Sequence, residues 1–186
     1  MINYNAITKY NRNIEQLTMF LMWCSVTPGK KSETITPRFN NLFKKHDTKS
    51  LLNSHGKHIH SLLKKQGIGQ YDRIMDCWKA IRNIKPLGQL RTITREELVT
   101  LPGIGPKTAS FFIVHSRKWQ EMAVLDVHIL NWIREQYPLF KIPEQTPQDL
   151  NVYRQIEGLF LGRACQLDMS PADLDNHIWK NNSQSK

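Results

Sequence analysis

The chain has 186 residues, with 26 lysines and arginines against 16 aspartates and glutamates, and a formal net charge of +10. That length suits one compact domain or two small lobes, and it buries a core without needing disulfides or a structural metal. A hydrophobic fraction of 40% and a charged fraction of 23% exclude a disordered tail. No apolar run reaches the about 18 residues that a membrane span requires.

The cysteines indicate the cellular compartment, and the net charge indicates the class of binding partner. Cys24, Cys77 and Cys165 form an odd, scattered set, which is typical of reduced thiols in a cytosol-like compartment and offers no cluster for zinc or iron–sulfur. The N-terminus is polar and shows no secretory signal, so we expect a protein that is not secreted. The positive charge favours nucleic acid as the partner over a membrane, although a basic surface that only aids solubility is the alternative.

Apolar residues recur at helical spacing along almost the whole chain. The helical faces contain, in chain order, Ile14, Leu17, Phe20, Leu21 and Cys24; Ile35, Phe39, Leu42 and Phe43; Ile59, Leu62 and Leu63; Ile74, Trp78 and Ile81; Ile129, Leu130 and Ile133; and Tyr153, Ile156, Leu159, Phe160 and Ala164. No segment alternates with a period of two around a hairpin turn, so the sequence predicts an all-α fold.

Helix ends are marked by local signals. Thr94 with Glu97 three residues later predicts a capping box, in which each residue hydrogen-bonds the backbone of the other. Ser170 before Pro171 predicts an N-cap and a first helical residue. The residues Thr27-Pro28-Gly29 predict the end of the first long helix.

The sequence Leu101-Pro102-Gly103-Ile104-Gly105-Pro106 connects two short predicted helices. Gly103 and Gly105 allow a positive φ and a close approach of the backbone to another surface. Pro106 starts the second helix, where its missing N–H has no consequence. The turn then presents free backbone N–H groups at the positive end of a helix, an arrangement that binds phosphate. The alternative is a helical hairpin whose glycines only make a tight turn.

Two charged residues after this turn are candidates for catalysis. Lys107 lies in the first turn of the second helix, where the helix dipole favours its neutral, nucleophilic form. Asp126 precedes an apolar helix, as an N-cap does, and a carboxylate there stays ionised and faces a developing positive charge. The alternatives are a simple phosphate contact for Lys107 and a simple cap for Asp126.

Residues 94–130 resemble the helix-hairpin-helix and the following loop of the DNA glycosylase superfamily that includes endonuclease III and the 8-oxoguanine glycosylases. The resemblance implies two helical lobes with the hairpin, at about residues 95–118, beside a DNA-binding cleft. It implies a central lobe over 27–125 and a second lobe formed by 1–26 together with 126–186.

The resemblance also implies the chemistry. Lys107 would attack the sugar C1′, displace a damaged base and form a Schiff base, and β-elimination would then cut the strand, while Asp126 would stabilise the cationic sugar. No metal or organic cofactor is required, but hairpins of this family often bind a monovalent cation through backbone carbonyls. The residues expected to contact the DNA backbone are Leu101, Gly103, Ile104, Gly105, Thr108 and His128.

The C-terminus bears on the choice of base. Asp175 and Trp179 are four residues apart on a predicted helix, so they share a face on which a carboxylate accepts purine N–H groups and an indole stacks. This pattern resembles the last helix of the short, archaeal-type 8-oxoguanine glycosylases, some of which end in a lysine as Lys186 does here. Trp23 and Ser25 lie at the bend that borders the family's cleft. Alternatively, Trp179 belongs to the core, Asp175 to the surface, and Lys186 to a frayed end.

The resemblance implies a monomeric, bifunctional glycosylase and lyase that removes 8-oxoguanine from double-stranded DNA, wherever genomic DNA resides. A four-cysteine loop typical of many pyrimidine-specific relatives is absent, but an enzyme for oxidised pyrimidines or another modified base remains an alternative. A different class is a non-catalytic helix-hairpin-helix module, which needs neither Lys107 nor Asp126. The histidines at 55, 58 and 60 are expected to form a basic surface and not a metal site.

Overall fold

A computed structural model describes residues 1–183, and every regular element in that range is a helix. This confirms the predicted all-α class. Within the same range, no helix combines the length and the apolar character needed to cross a membrane. Contacts between residues divide the chain into two compact units, Met1–Ile104 and a second that begins at Gly105.

The first unit is organised around α1 (Ile14–Val26), which is buried on nearly every side from Phe20 onward. A helix that is apolar all round must be enclosed by other elements. The helical elements that follow are α2 (Ser32–Leu42), α3 (Thr48–Asn53), α4 (Gly56–Lys65), α5 (Tyr71–Asn83), a 3₁₀ helix over Leu87–Arg91, and α6 (Arg95–Leu98). Of these, α2, α3, α5 and the 3₁₀ helix contact α1. As predicted, α1 ends directly before Thr27.

The second unit contains four helices within the described residues. They are α7 (Pro106–Val114), α8 (Val127–Gln136), α9 (Leu150–Gln166) and α10 (Pro171–Ser183). Its core joins α8, α9 and α10 to the segment before α8 through Leu125, Ile129, Leu130, Ile133, Tyr153, Ile156, Phe160, Leu174 and Ile178. The segments that carry Lys107, Asp126 and Asp175 therefore all belong to this unit.

The predicted lobes, 27–125 and 1–26 together with 126–186, stay a prediction. Residues 14–26 form α1, whose neighbours α2, α3 and α5 all lie in the first unit. The burial of α1 on nearly all sides requires several helices around it. Beyond Ile104, the chain from α7 onward packs within the second unit.

Two glycines provide a test of the backbone geometry. Gly103 has φ +75°, and a Cβ built there lies 2.7 Å from Arg73 Cγ, whereas Gly158 on the exposed side of α9 has open space around it. We expect Gly103→Ala to lower the free energy of unfolding by about 1–3 kcal/mol, because positive φ strains a residue that has a Cβ. We expect Gly158→Ala to raise it by about 0.5–1 kcal/mol, because alanine favours the helix interior.

Denaturant unfolding of both variants measures this difference. Equal stability of the two alanine variants would contradict the conformation of the hairpin turn described here.

Candidate active site

The hairpin turn joins α6 to α7, and its ends follow the sequence signals. Thr94 and Glu97 form the predicted capping box, with Glu97 Oε2 accepting from the Thr94 N–H at 2.7 Å. Pro106 is the first residue of α7, as predicted. Gly103 has the predicted positive φ, but Gly105 is extended at φ −92°. Gly105 instead avoids a close contact, because an added Cβ would lie 3.1 Å from Gln148 Oε1.

No side chain of the described residues caps α7 at Gly105. The first N–H groups of a helix have no partner inside the helix, so those of Lys107 and Thr108 remain available to an external acceptor. Both residues are half-buried, and Leu101 and Gly105 are also half-buried, whereas Gly103 is exposed and Ile104 is buried. The predicted contact of these residues with a DNA backbone stays a prediction.

Arg73 fixes the turn, a role that the sequence did not predict for this residue. Its Nη1 donates to the Gly103 carbonyl at 3.0 Å, and its Nη2 donates to the Ser25 carbonyl at 2.8 Å and to Gln70 Oε1 at 2.7 Å. The turn is thereby tied to the last residues of α1. A guanidinium at the Gly103 carbonyl repels a second cation, so this carbonyl does not fit a metal ligand. The expected monovalent cation at the hairpin stays a prediction that would rest on other carbonyls.

Asp126 caps α8, as predicted. Its Oδ1 accepts from the N–H groups of His128 and Ile129, each at 2.9 Å. Among the described residues, Oδ2 accepts no hydrogen bond, and the side chain is half-buried. One oxygen therefore fixes the carboxylate while the other remains available.

The segment before Asp126 is held in place by α9. The Tyr153 hydroxyl donates to the Ala123 carbonyl at 2.8 Å and accepts from the Leu125 N–H at 3.0 Å. Buried Glu157 accepts from the Ala123 N–H at 2.8 Å. Because Tyr153 is fully buried, these bonds lie out of water and fix the path of the chain into Asp126.

Asp175 is buried and paired. Its Oδ2 lies 3.2 Å from Nε2 of His115, which is completely buried at the end of α7. The pKa of the Asp175 carboxyl is raised, and burial is the largest cause. The hydrogen bond and charge of His115 lower this pKa, as does the charge of Lys107, whereas the charge of Asp126 raises it further. Lys107 and Asp126 therefore both act electrostatically on Asp175. Sequence analysis missed His115; its one local signal is a polar residue that ends the apolar run of α7.

The other residues predicted for a base pocket have different environments. Trp179 is 38% exposed on α10, so it is not part of the core, and Asp175 on the same helix is not a surface acid. Trp23 is buried and donates through Nε1 to Thr36.

Ser25 is fully buried, donates to the Met22 carbonyl and accepts from Trp78 Nε1. Trp23 and Ser25 thus use their polar side-chain atoms within the first unit, and their predicted place in a base pocket stays a prediction. Lys186 lies outside the described residues.

The histidines near α4 have separate roles. His55 caps this helix by accepting from the Lys57 N–H, His58 packs against His46, and His60 packs against Tyr71. Within residues 1–183, no three His, Cys, Asp or Glu side chains come together as metal ligands.

Comparisons with known proteins bear on the fold. A family model of the helix-hairpin-helix motif matches residues 87–110. A comparison with curated proteins finds no match. The Methanocaldococcus jannaschii 8-oxoguanine glycosylase/lyase, solved in complex with DNA containing 8-oxoguanine, superposes with a TM-score of 0.78 at 21% identity, covering 94% of this chain and 84% of that one.

Two bacterial structures are also similar. The 8-oxoguanine DNA glycosylase of Thermotoga maritima has a TM-score of 0.72 at 22% identity, over 90% of this chain and 79% of that one. The H. pylori 3-methyladenine DNA glycosylase bound to 1,N6-ethenoadenine has a TM-score of 0.67 at 16% identity, over 95% and 88%. The chain has the fold of the helix-hairpin-helix DNA glycosylases. The predicted resemblance is thereby confirmed at the level of the fold.

The raised pKa of Asp175 predicts a pH-dependent stability. The folded protein keeps this proton to a higher pH than the unfolded chain, so stability is lost as the pH rises from the unfolded pKa through the raised folded pKa. Asp175→Asn removes this dependence. We therefore expect the free energy of unfolding of the variant, relative to wild type, to increase as the pH rises above about 4.

Denaturant titrations over a pH series measure this difference. Asp168→Asn is a matched control, because Asp168 is exposed and its positive φ is tolerated by asparagine as well as by aspartate. A difference for Asp175→Asn that does not change with pH would contradict the burial of an ionisable carboxyl.

Proposed function

We propose that this protein is a DNA glycosylase with lyase activity that removes a damaged base, 8-oxoguanine, from double-stranded DNA. The observation that carries the proposal is that the charges of Lys107 and Asp126 both act on the buried carboxyl of Asp175, and that all three residues belong to the unit that begins at Gly105. A module that only binds DNA needs the hairpin but has no use for a buried carboxyl on which the charges of a lysine and a second carboxylate act.

In the proposed reaction, the neutral Nζ of Lys107 attacks C1′ of the damaged nucleotide. A bond from Nζ to C1′ forms as the glycosidic bond breaks, and the base leaves with the bonding electrons and takes up a proton. Opening of the sugar ring gives a Schiff base between Lys107 and the DNA. Loss of a proton from C2′ then breaks the bond between C3′ and its phosphate oxygen, which cuts the strand. The lysine itself provides the electron sink, so the reaction requires no metal or organic cofactor.

Asp126 supports the first step electrostatically. As the glycosidic bond breaks, positive charge develops on the sugar, and an ionised carboxylate nearby stabilises it. The cap bonds to His128 and Ile129 occupy Oδ1 and leave Oδ2 for this task. Because the chain before Asp126 is fixed by Tyr153, the carboxylate does not have to reorganise during the reaction.

Asp175 and Trp179 support the choice of a purine. An ionised Asp175 accepts N–H groups of the flipped base, and the exposed indole of Trp179 provides a face for stacking. The two closely similar structures of 8-oxoguanine glycosylases agree with this choice. The 3-methyladenine glycosylase of the same fold supports a second candidate, an enzyme for another modified purine.

A panel of duplexes tests the proposal, with base release and strand cutting scored separately. The duplexes contain 8-oxoguanine, an oxidised pyrimidine, ethenoadenine or an unmodified base. We expect release and cutting on the 8-oxoguanine duplex. Lys107→Gln should lower both by about 1000-fold or more, because it removes the nucleophile, while DNA binding remains.

Lys118→Gln is the matched control for the loss of one positive charge, because Lys118 is exposed in the same unit. Equal activity of Lys107→Gln and Lys118→Gln would refute the assigned nucleophile. Base release without cutting by the wild type would refute the lyase step, and activity only on another duplex would refute the choice of lesion.

A further inference from the structure

His115, the buried partner of Asp175, has no part in the reaction described so far. The two residues are 60 positions apart, and their Nε2 and Oδ2 atoms lie 3.2 Å apart. The His115 side chain is completely buried and its ring lies against Phe111, with 4.4 Å between the ring centroids. The Asp175 side chain is 12% exposed. His115 is therefore the fixed member of the pair, and Asp175 is the member that reaches the surface.

Only one oxygen of the Asp175 carboxylate is engaged. Among the described residues, His115 is its sole hydrogen-bond partner, through Oδ2. Oδ1 is thus left to accept a hydrogen bond from a ligand. A carboxylate held through one oxygen has a defined direction in which the other oxygen accepts.

Several charged groups face Asp175 and set its protonation. His115 and Lys107 of α7 favour the ionised form, whereas Asp126 at the start of α8 and burial itself favour the protonated form. Within residues 1–183, α9, which also packs against α10, contributes no charged group to this balance. His115 is the only one of these groups in direct contact with the carboxylate, so it has the largest effect that opposes burial.

The protonation of Asp175 decides which bases it recognises. An ionised carboxylate only accepts hydrogen bonds, whereas a protonated carboxyl group also donates one. The pairing edge of a guanine-type base presents N–H donors at N1 and N2, whereas that of an adenine-type lesion such as ethenoadenine, whose N6 has lost its hydrogens, presents an acceptor and no N–H donor. An ionised Asp175 therefore suits the guanine-type edge, and a protonated Asp175 accommodates the adenine-type edge.

We propose that His115 is a positioning residue that keeps Asp175 ionised and aimed, and thereby restricts the pocket to lesions that present N–H donors. This inference rests on the proposed function and extends it, because it assigns the choice of lesion to a residue that never touches the base.

Two substitutions separate the hydrogen bond from the packing. His115→Gln places an amide N–H donor about where Nε2 lies, and His115→Phe keeps an aromatic ring against Phe111 but removes the donor. His177→Phe is the matched control, because His177 is exposed on the same helix as Asp175.

In His115→Phe we expect KM for the 8-oxoguanine duplex to rise by about tenfold or more at neutral pH, with a much smaller change in kcat, because the Asp175 carboxyl loses the hydrogen bond that aims it and favours its ionised form. The preference for 8-oxoguanine over ethenoadenine should fall, and raising the pH should restore it as the carboxyl ionises. His115→Gln and His177→Phe should behave as the wild type. Equal losses of kcat in His115→Gln and His115→Phe at every pH, or no loss in either, would overturn the inference.

A second measurement needs no DNA. The side-chain carboxyls of the free protein, labelled with carbon-13 at aspartate, are titrated by NMR, and Asp175→Asn identifies the signal. We expect the Asp175 carboxyl to titrate at higher pH in His115→Phe than in the wild type or in His177→Phe. An unchanged titration would overturn the inference even in an active enzyme. A wild type that is inactive on every duplex would instead overturn the proposed function, and with it the role in lesion choice.

Discussion

The Asp175 carboxyl is buried, and the arrangement of charged groups in the second unit compensates for that burial. Removing a carboxylate from water is unfavourable unless it is hydrogen-bonded or paired. Here a completely buried histidine provides the bond and a lysine provides the opposite charge, while the neighbouring Asp126 opposes both. A core serving stability alone would not place three such groups together, because apolar packing achieves the same with less desolvation. The arrangement is typical of a functional site, in which charged groups bind a ligand or take part in a reaction.

The rest of the unit holds these groups still. Tyr153 and Glu157 of α9 fix the backbone that leads into Asp126. α7 carries Lys107 in its first turn and ends at His115, so one rigid helix spaces the lysine from the partner of Asp175. Preorganisation of this kind lets charges stabilise a transition state without moving during the reaction. The hairpin turn is fixed independently, within the first unit, by Arg73.

Features set by neighbouring residues were predictable from the sequence, and long-range partners were not. The capping box at Thr94 and the cap at Asp126 depend on residues two or three positions away. The pairing of His115 with Asp175 spans 60 residues, and that of Arg73 with Gly103 spans 30, so no local sequence pattern predicts these pairs. The place of Trp23 at a base pocket was predicted from the family resemblance alone. A resemblance does not reveal that the Trp23 indole N–H donates a hydrogen bond to Thr36 inside the first unit.

The covalent step is the central claim, and chemical trapping tests it most directly. Borohydride added while the protein acts on a duplex with 8-oxoguanine reduces a Schiff base to a stable amine. Protease digestion and mass spectrometry then locate the residue that carries the DNA fragment. The account predicts the added mass on the peptide that contains Lys107. An adduct on another residue, or base release with no adduct, would contradict it.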